Sequence, residues 1–193
     1  MSTVSISIPE LRRALEEAPP TAEAHARLGT ALLKAGATRD AERELRKAID
    51  LDPRCAAAWV NLGGILLSRW EFGAAVEANR RAVAAKPSLA MAHFNQGICH
   101  LHLGEPERSV ECLSRAVAIE PGLAAGYYHL AIALTALGRT PEAELCVAYA
   151  KELGYRPSPV SAEGLERAAE AARAAAPAPE TQSQASPPTP QED

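Results

Sequence analysis

Four side chains able to hold a metal or move a proton crowd one short stretch: His93, Cys99, His100 and His102. A thiolate and imidazoles can bind a soft metal such as zinc. On a helix such ligands converge at i, i+3 or i, i+4, and only Cys99 with His102 meets that spacing. His93 and His100 lie two turns apart on the side turned toward packing. No CxxC or HExxH stands nearby, and no carboxylate shares the stretch to orient an imidazole. These histidines read as packing aromatics, and no metal is expected. Nucleophilic catalysis needs Ser or Cys held against a base on a rigid turn, yet neither G-x-S-x-G nor a Gly-rich phosphate loop occurs. Glu42–Arg46, Glu77–Arg81 and Glu111–Arg115 set an acid four residues before a base. That is the spacing of surface helix pairs worth about 0.2–0.5 kcal/mol each. The expectation is no catalytic residue, no enzyme activity and no cofactor.

The elements that carry these residues recur. Pro53, Pro87 and Pro121 close apolar stretches at a step of 34 residues, and Gly29, Gly63 and Gly97 keep the same step. Ala48, Ala82, Ala116 and Ala150 continue it through four units, as do Ala41, Ala75 and Ala143 with Ser109 in the third slot. Periods of this length belong to stacked supersecondary units. Glycine lets a second helix press against the first, at a cost of about 1 kcal/mol in helix propensity relative to Ala. The alanines are the matching small surfaces. Proline stops the second helix and biases its preceding residue away from helical geometry. Leu28, Leu32 and Leu45, with their counterparts Leu62, Leu66 and Leu113, fill the seam between hairpins.

A large residue, then Leu-Gly as in Trp59-Val-Asn-Leu62-Gly63, then Ala, Ala and Pro: this order resembles the tetratricopeptide repeat family. The resemblance covers residues 22–157 as four units, 22–55, 56–89, 90–123 and 124–157. It implies an all-α fold, a right-handed superhelical stack of helix-turn-helix hairpins, with first helices lining a concave groove and second helices forming the convex back. It also implies a docking scaffold, since the fold is specific and the function is general. Departures are Gln96 where Leu is usual, Asn79 where a large apolar residue is usual, Tyr155 in the fourth Pro slot, and His25 and His93 in place of the first-helix aromatic.

The ends read as caps. Ser7-Ile-Pro-Glu10 is a capping box opening a helix to about Ala18, so residues 1–20 form a half-repeat. A further helix over 161–176, within a C-terminal cap of 158–176, covers the other end of the stack. Residues 177–193 hold Pro177, Pro179, Pro187, Pro188 and Pro190 among Ser, Gln and Thr and read as disordered. The net charge of −4 gives no footprint for nucleic acid. No apolar run is long enough to span a membrane, and no secretory signal is visible. Four cysteines without framework spacing suit a reducing, cytoplasmic location.

Helical phase taken from Leu62, Gly63 and Leu66 exposes Val60, Asn61, Gly64, Leu67 and Ser68 on the inner face. The equivalent stripe is Arg27, Thr30, Leu33 and Lys34 in the first unit; Met91, Phe94, Asn95, Ile98, Leu101 and His102 in the third; and Tyr128, His129, Ile132 and Thr135 in the fourth. An apolar patch there marks a contact surface. The other reading is that these side chains thicken packing between neighbouring first helices, or that the C-terminal helix covers them. Asn61 and Asn95 recur at the repeat step and resemble the asparagine ladder of protein O-linked N-acetylglucosamine transferases, in which amides grip an extended backbone. Arg27, Lys34 and Asn61 supply part of the carboxylate clamp of co-chaperones, but Met91 and Asn95 stand where that clamp needs bases. The expected function is an adaptor holding an extended or helical segment of another protein, at roughly micromolar affinity, about −8 kcal/mol. Self-assembly into a homo-oligomer is the alternative.

Overall fold

The computed structural model describes residues 7–17 and 19–157. The helix expected over 161–176 and the proline-rich 177–193 lie outside the described residues. Nine helices and no strand occur among those described: α1 (Ile8–Glu17), α2 (Ala22–Lys34), α3 (Thr38–Leu51), α4 (Ala56–Ser68), α5 (Phe72–Ala85), α6 (Ala90–His102), α7 (Pro106–Ile119), α8 (Ala124–Ala136) and α9 (Thr140–Glu152). The fold is an all-α helical repeat. Helices α2, α4, α6 and α8 begin at Ala22, Ala56, Ala90 and Ala124, one period apart, and each packs closely on the helix that follows.

Local chemistry sets the boundaries. Ser7 and Glu10 cap α1 reciprocally: the Ser7 amide donates to Glu10 Oε2 at 2.7 Å, and the Glu10 amide to Ser7 Oγ at 3.5 Å. Thr21 Oγ1 accepts from the Ala24 amide at the start of α2. The second helices end at Asp52, Lys86 and Glu120, non-helical residues with ψ of 100°, 92° and 84° that each precede a proline. Proline Cδ excludes helical geometry from that position.

Each first helix ends in the same left-handed turn. The amides of Ala37, Glu71, Glu105 and Arg139 reach back to the carbonyls of Leu32, Leu66, His100 and Leu134. Those of the preceding residues bond to Leu33, Leu67, Leu101 and Thr135. This double closure needs a residue at positive φ. Gly36, Gly104 and Gly138 supply it at 77°, 74° and 71°, and Trp70 occupies the second-unit slot at 64°.

Packing within a hairpin follows the small-residue columns. A Cβ on Gly29 would fall 2.8 Å from Leu45, and one on Gly97 would collide with Leu113. Leu45 and Leu113 are fully buried, each contributing about 1.5–3 kcal/mol. Ser109, in the small slot of the third unit, donates to the Gly97 carbonyl at 2.8 Å. The ring slots are tied to backbone: Trp59 Nε1 donates to the Pro53 carbonyl, and His93 Nε2 lies 3.0 Å from the Pro87 carbonyl, six residues back in both cases. His25 instead meets Glu44 at 2.7 Å, both well buried. Of the expected surface pairs, Glu42–Arg46 and Glu77–Arg81 close at 2.7 and 3.0 Å, whereas no ion pair joins Glu111 to Arg115.

Successive first helices touch: α2 meets α4, α4 meets α6, and α6 meets α8. Second helices share no comparable contact among the described residues. The stack therefore closes on the first-helix side and opens on the second-helix side, so the inner surface is the one α2, α4, α6 and α8 present. No described helix is long and apolar enough to cross a membrane.

Candidate partner-binding groove

At the amino-terminal end of the inner face, Arg27 and Lys34 are exposed, and neither joins an ion pair among the described residues. With Glu23, Ala26, Thr30, Ala57 and other residues they line a cavity of about 420 Å³. One step along, Asn61 is half-buried and donates from Nδ2 to Thr30 Oγ1 at 2.8 Å. That bond holds the amide, and its acceptor oxygen meets no donor among the described residues. Leu67 and Ile98 are half-buried beside exposed Ser68 and His102, and these four border a second cavity of about 240 Å³ with Trp70 and Phe72. Met91 is exposed, and Ile132 is half-buried.

Four residues expected on the open face are instead internal. Val60 is 8% exposed, enclosed by Trp59, Ala82, Val83 and Ala92 at the seam between the second and third units. Tyr128 is 3% exposed, with its ring 5.0 Å from Tyr155 and 5.9 Å from His129. Tyr155 fills the slot where the other units have proline, and its ring covers Tyr128. Thr135 is likewise buried.

Asn95 is the fourth, 7% exposed, and its Nδ2 donates to Asn79 Oδ1 at 3.3 Å. Asn79 is fully buried and donates in turn to the Ala75 carbonyl at 2.8 Å. The two asparagines form an amide pair linking α5 to α6, so Asn95 is spent internally and Asn61 stands without a second rung. Phe94 and Leu101, half-buried, pack onto the Leu113, Leu130 and Leu134 cluster, which is the packing alternative raised by the sequence.

His129 is half-buried beneath Phe94, whose ring meets it edge-on at 5.6 Å. Burial, aided by the charge of His102, pushes its pKa down to about 4, so this imidazole is neutral at pH 7. Glu44 feels burial pulling its pKa up, but hydrogen bonds from Lys47 and His25 outweigh that and hold it below its ordinary value. The cluster of His93, Cys99, His100 and His102 is dispersed. His100 pairs with Glu105 at 2.7 Å, His102 stacks on Phe72, and burial pushes the Cys99 thiol up to about 11. Among the described residues no three His, Cys, Asp or Glu side chains converge in a way that could hold a metal.

Two residues of this face escaped the sequence reading. Trp70 is 71% exposed, and with Phe72 and His102 it makes an aromatic corner at the mouth of the groove. The signal was present, because Trp70 breaks a column otherwise filled by Gly36, Gly104 and Gly138.

Tetratricopeptide repeat models match residues 26–90 and 90–123. The chain belongs to the tetratricopeptide repeat family. No curated protein matches it. Among solved structures, MamA is 27% identical with a TM-score of 0.65, the match covering 76% of this chain and 86% of that one. PilF of Pseudomonas aeruginosa is 21% identical with a TM-score of 0.70, covering 85% of this chain and 78% of that one. YrrB, described as a tetratricopeptide repeat protein with an unusual peptide-binding site, is 20% identical with a TM-score of 0.71, covering 87% and 84%. The last two likenesses bear on the fold alone. They agree that the repeat stack extends beyond residue 123, where the family models stop.

Proposed function

We propose that this tetratricopeptide repeat protein is an interaction scaffold whose inner face takes an extended or helical segment of another protein. The observation that carries the reading is the line of accessible side chains down α2, α4 and α6: Arg27, Lys34, Asn61, Leu67, Ile98 and His102. Cations with no ion partner among the described residues stand at one end and half-exposed apolar groups follow, with an amide acceptor between. A peptide backbone donates to Asn61, its apolar side chains displace water from Leu67 and Ile98, and an acidic group is favoured near Lys34. Val60, Asn95 and Tyr128 shape the floor from beneath, and Phe94, Leu101, His129 and Ile132 form its walls. The peptide-binding site named for YrrB supports a protein ligand.

Peptides selected from a displayed random library on the immobilised protein provide the test. Enriched sequences should lose affinity by about tenfold or more on Lys34→Glu or Asn61→Ala. Retention of full affinity by both variants removes the groove from the account.

Self-assembly is the second reading, favoured by Leu145 and Tyr149 on α9 and Leu153 at its C-cap, which are exposed at four-residue spacing. Light scattering across a dilution series separates the two: a monomer at every concentration eliminates it.

A further inference from the structure

Trp70 occupies the left-handed position that closes α4, at φ 64°, where the other three units have glycine. A non-glycine residue there costs about 1–2 kcal/mol of backbone strain. The side chain packs over only a small part of its surface. It touches Phe72 and His102 edge-on at ring separations of 5.7 and 5.4 Å, while 71% of the residue stays in solvent. A large apolar ring held in a strained, exposed setting is placed to meet something.

The surroundings restrict what that is. The cavity beside Trp70 is lined by Leu67, Ser68, Phe72, Ile98 and His102, with no carboxylate to attract a cation. Phe72 and His102 stack on each other at 4.5 Å and 4°, so their facing surfaces are used up and cannot form an open cage. Nor does a free cation line the cavity, and the neighbouring Arg69 is held by Glu42 at 2.6 Å. What remains is a bare indole face above an aliphatic floor. Aromatic-lined grooves of this kind suit proline rings on a preformed polyproline II segment.

We infer that the aromatic corner is a seat for residues 187–190 of this same chain, Pro187-Pro188-Thr189-Pro190. The sequence beyond residue 157 holds no aromatic residue and repeatedly offers proline. It can reach. Trp70 closes α4 at the edge where α9 begins, and α9 runs about 20 Å to the opposite edge, so the chain leaves the described structure roughly 30 Å away: about 20 Å along the stack at a helix spacing of 8–10 Å and about 20 Å across it. The 29 residues from 158 to 186 have a contour of roughly 95 Å at ~3.3 Å per residue, well beyond that separation. Such tethering gives an effective concentration of order 1 mM, enough for a weak contact to be substantially occupied. Charge agrees with the assignment. At ~3.1 Å per residue, Glu192 and Asp193 fall roughly 6–9 Å beyond Pro190, one helix spacing, which brings them to the cationic Lys34 and Arg27 when the segment runs from α6 toward α2. The segment then acts as a displaceable occupant of the groove mouth. This regulatory role rests on the proposed groove function; the seat itself does not.

The experiment uses the full chain with Trp59→Phe, which leaves Trp70 as the single tryptophan; an aromatic ring other than Trp already fills that slot in the fourth unit. Acrylamide quenching of Trp70 is compared in this protein and in the same protein carrying Pro187→Ala, Pro188→Ala and Pro190→Ala, far from the folded body. The expected result is about a twofold or greater rise in the quenching constant on removing the prolines. Protection should return when a peptide of residues 183–193 is added. Equal quenching with and without the prolines overturns the inference, as does protection that rises with protein concentration and so reports a second copy. Groove-selected peptides should bind the proline-free variant about twofold or more tightly. If quenching responds and their affinity does not, the seat stands and the groove reading fails.

Discussion

His129 links the groove to pH in a way that can be measured. Its half-buried imidazole sits among Phe94 and Tyr128, and burial is the main cause of a pKa near 4. In the unfolded chain the same ring titrates near 6.5. Between these values the unfolded chain takes up a proton that the folded chain refuses, so acid favours unfolding. The loss begins as pH drops through about 6.5 and is complete below about 4, reaching about 3 kcal/mol in full and about 2 kcal/mol by pH 5. The depressed carboxylates Glu42, Glu44, Glu105 and Glu142 act in another window. Their stabilisation is present above their ordinary value of 4.5 and disappears only as pH falls below it. Urea unfolding at pH 7 and pH 5 of the wild type and His129→Phe therefore isolates His129, because the other four histidines are common to both proteins. The wild-type chain should lose about 2 kcal/mol more than His129→Phe, which keeps a ring but cannot titrate. A proton NMR titration of the folded wild type should place this imidazole near 4 whether or not the variant folds. Equal acid sensitivity of the two proteins, or an imidazole titrating near 6.5, would refute the reasoning.

Three further outcomes follow from the packing. Trp70→Gly should be more stable than Trp70→Ala by about 1 kcal/mol in thermal unfolding, the reverse of the ordinary helix order, because only glycine is unstrained at φ 64°; an advantage for alanine removes the strain argument. Gly97→Ala should lower stability by about 1–3 kcal/mol, since its Cβ would collide with buried Leu113, while Gly73→Ala meets open space and should show no such loss. A double-mutant cycle on Asn79→Ala and Asn95→Ala should give a coupling of about 0.5–1.5 kcal/mol; strictly additive effects mean that the amide pair contributes nothing of its own.

The repeat was legible because each column has one physical job that only a few residue types perform. Pro53, Pro87 and Pro121 break helices, and Gly29, Gly63 and Gly97 admit a neighbour's side chain, whatever surrounds them. The inner face was less legible, because helical phase treats every unit alike while exposure is decided by the next unit's substitutions. Asn95 has the same phase as Asn61, yet it turns inward to Asn79, which replaces the leucine of the first and third units. Tyr128 is covered because Tyr155 replaces a proline. Val60 lies where two units meet, and no property of its own helix reveals that. Trp70 is legible only through its glycine column, because helical phase says nothing about a residue in the turn that follows a helix.

The central claim, that a partner segment lies along α2, α4 and α6, is most directly tested by photo-crosslinking a library-selected peptide. A benzophenone amino acid is placed in turn at Ser68 on the inner face and at Arg115, exposed on α7. The account predicts a crosslink from position 68 and none from position 115. A crosslink confined to position 115 would contradict it.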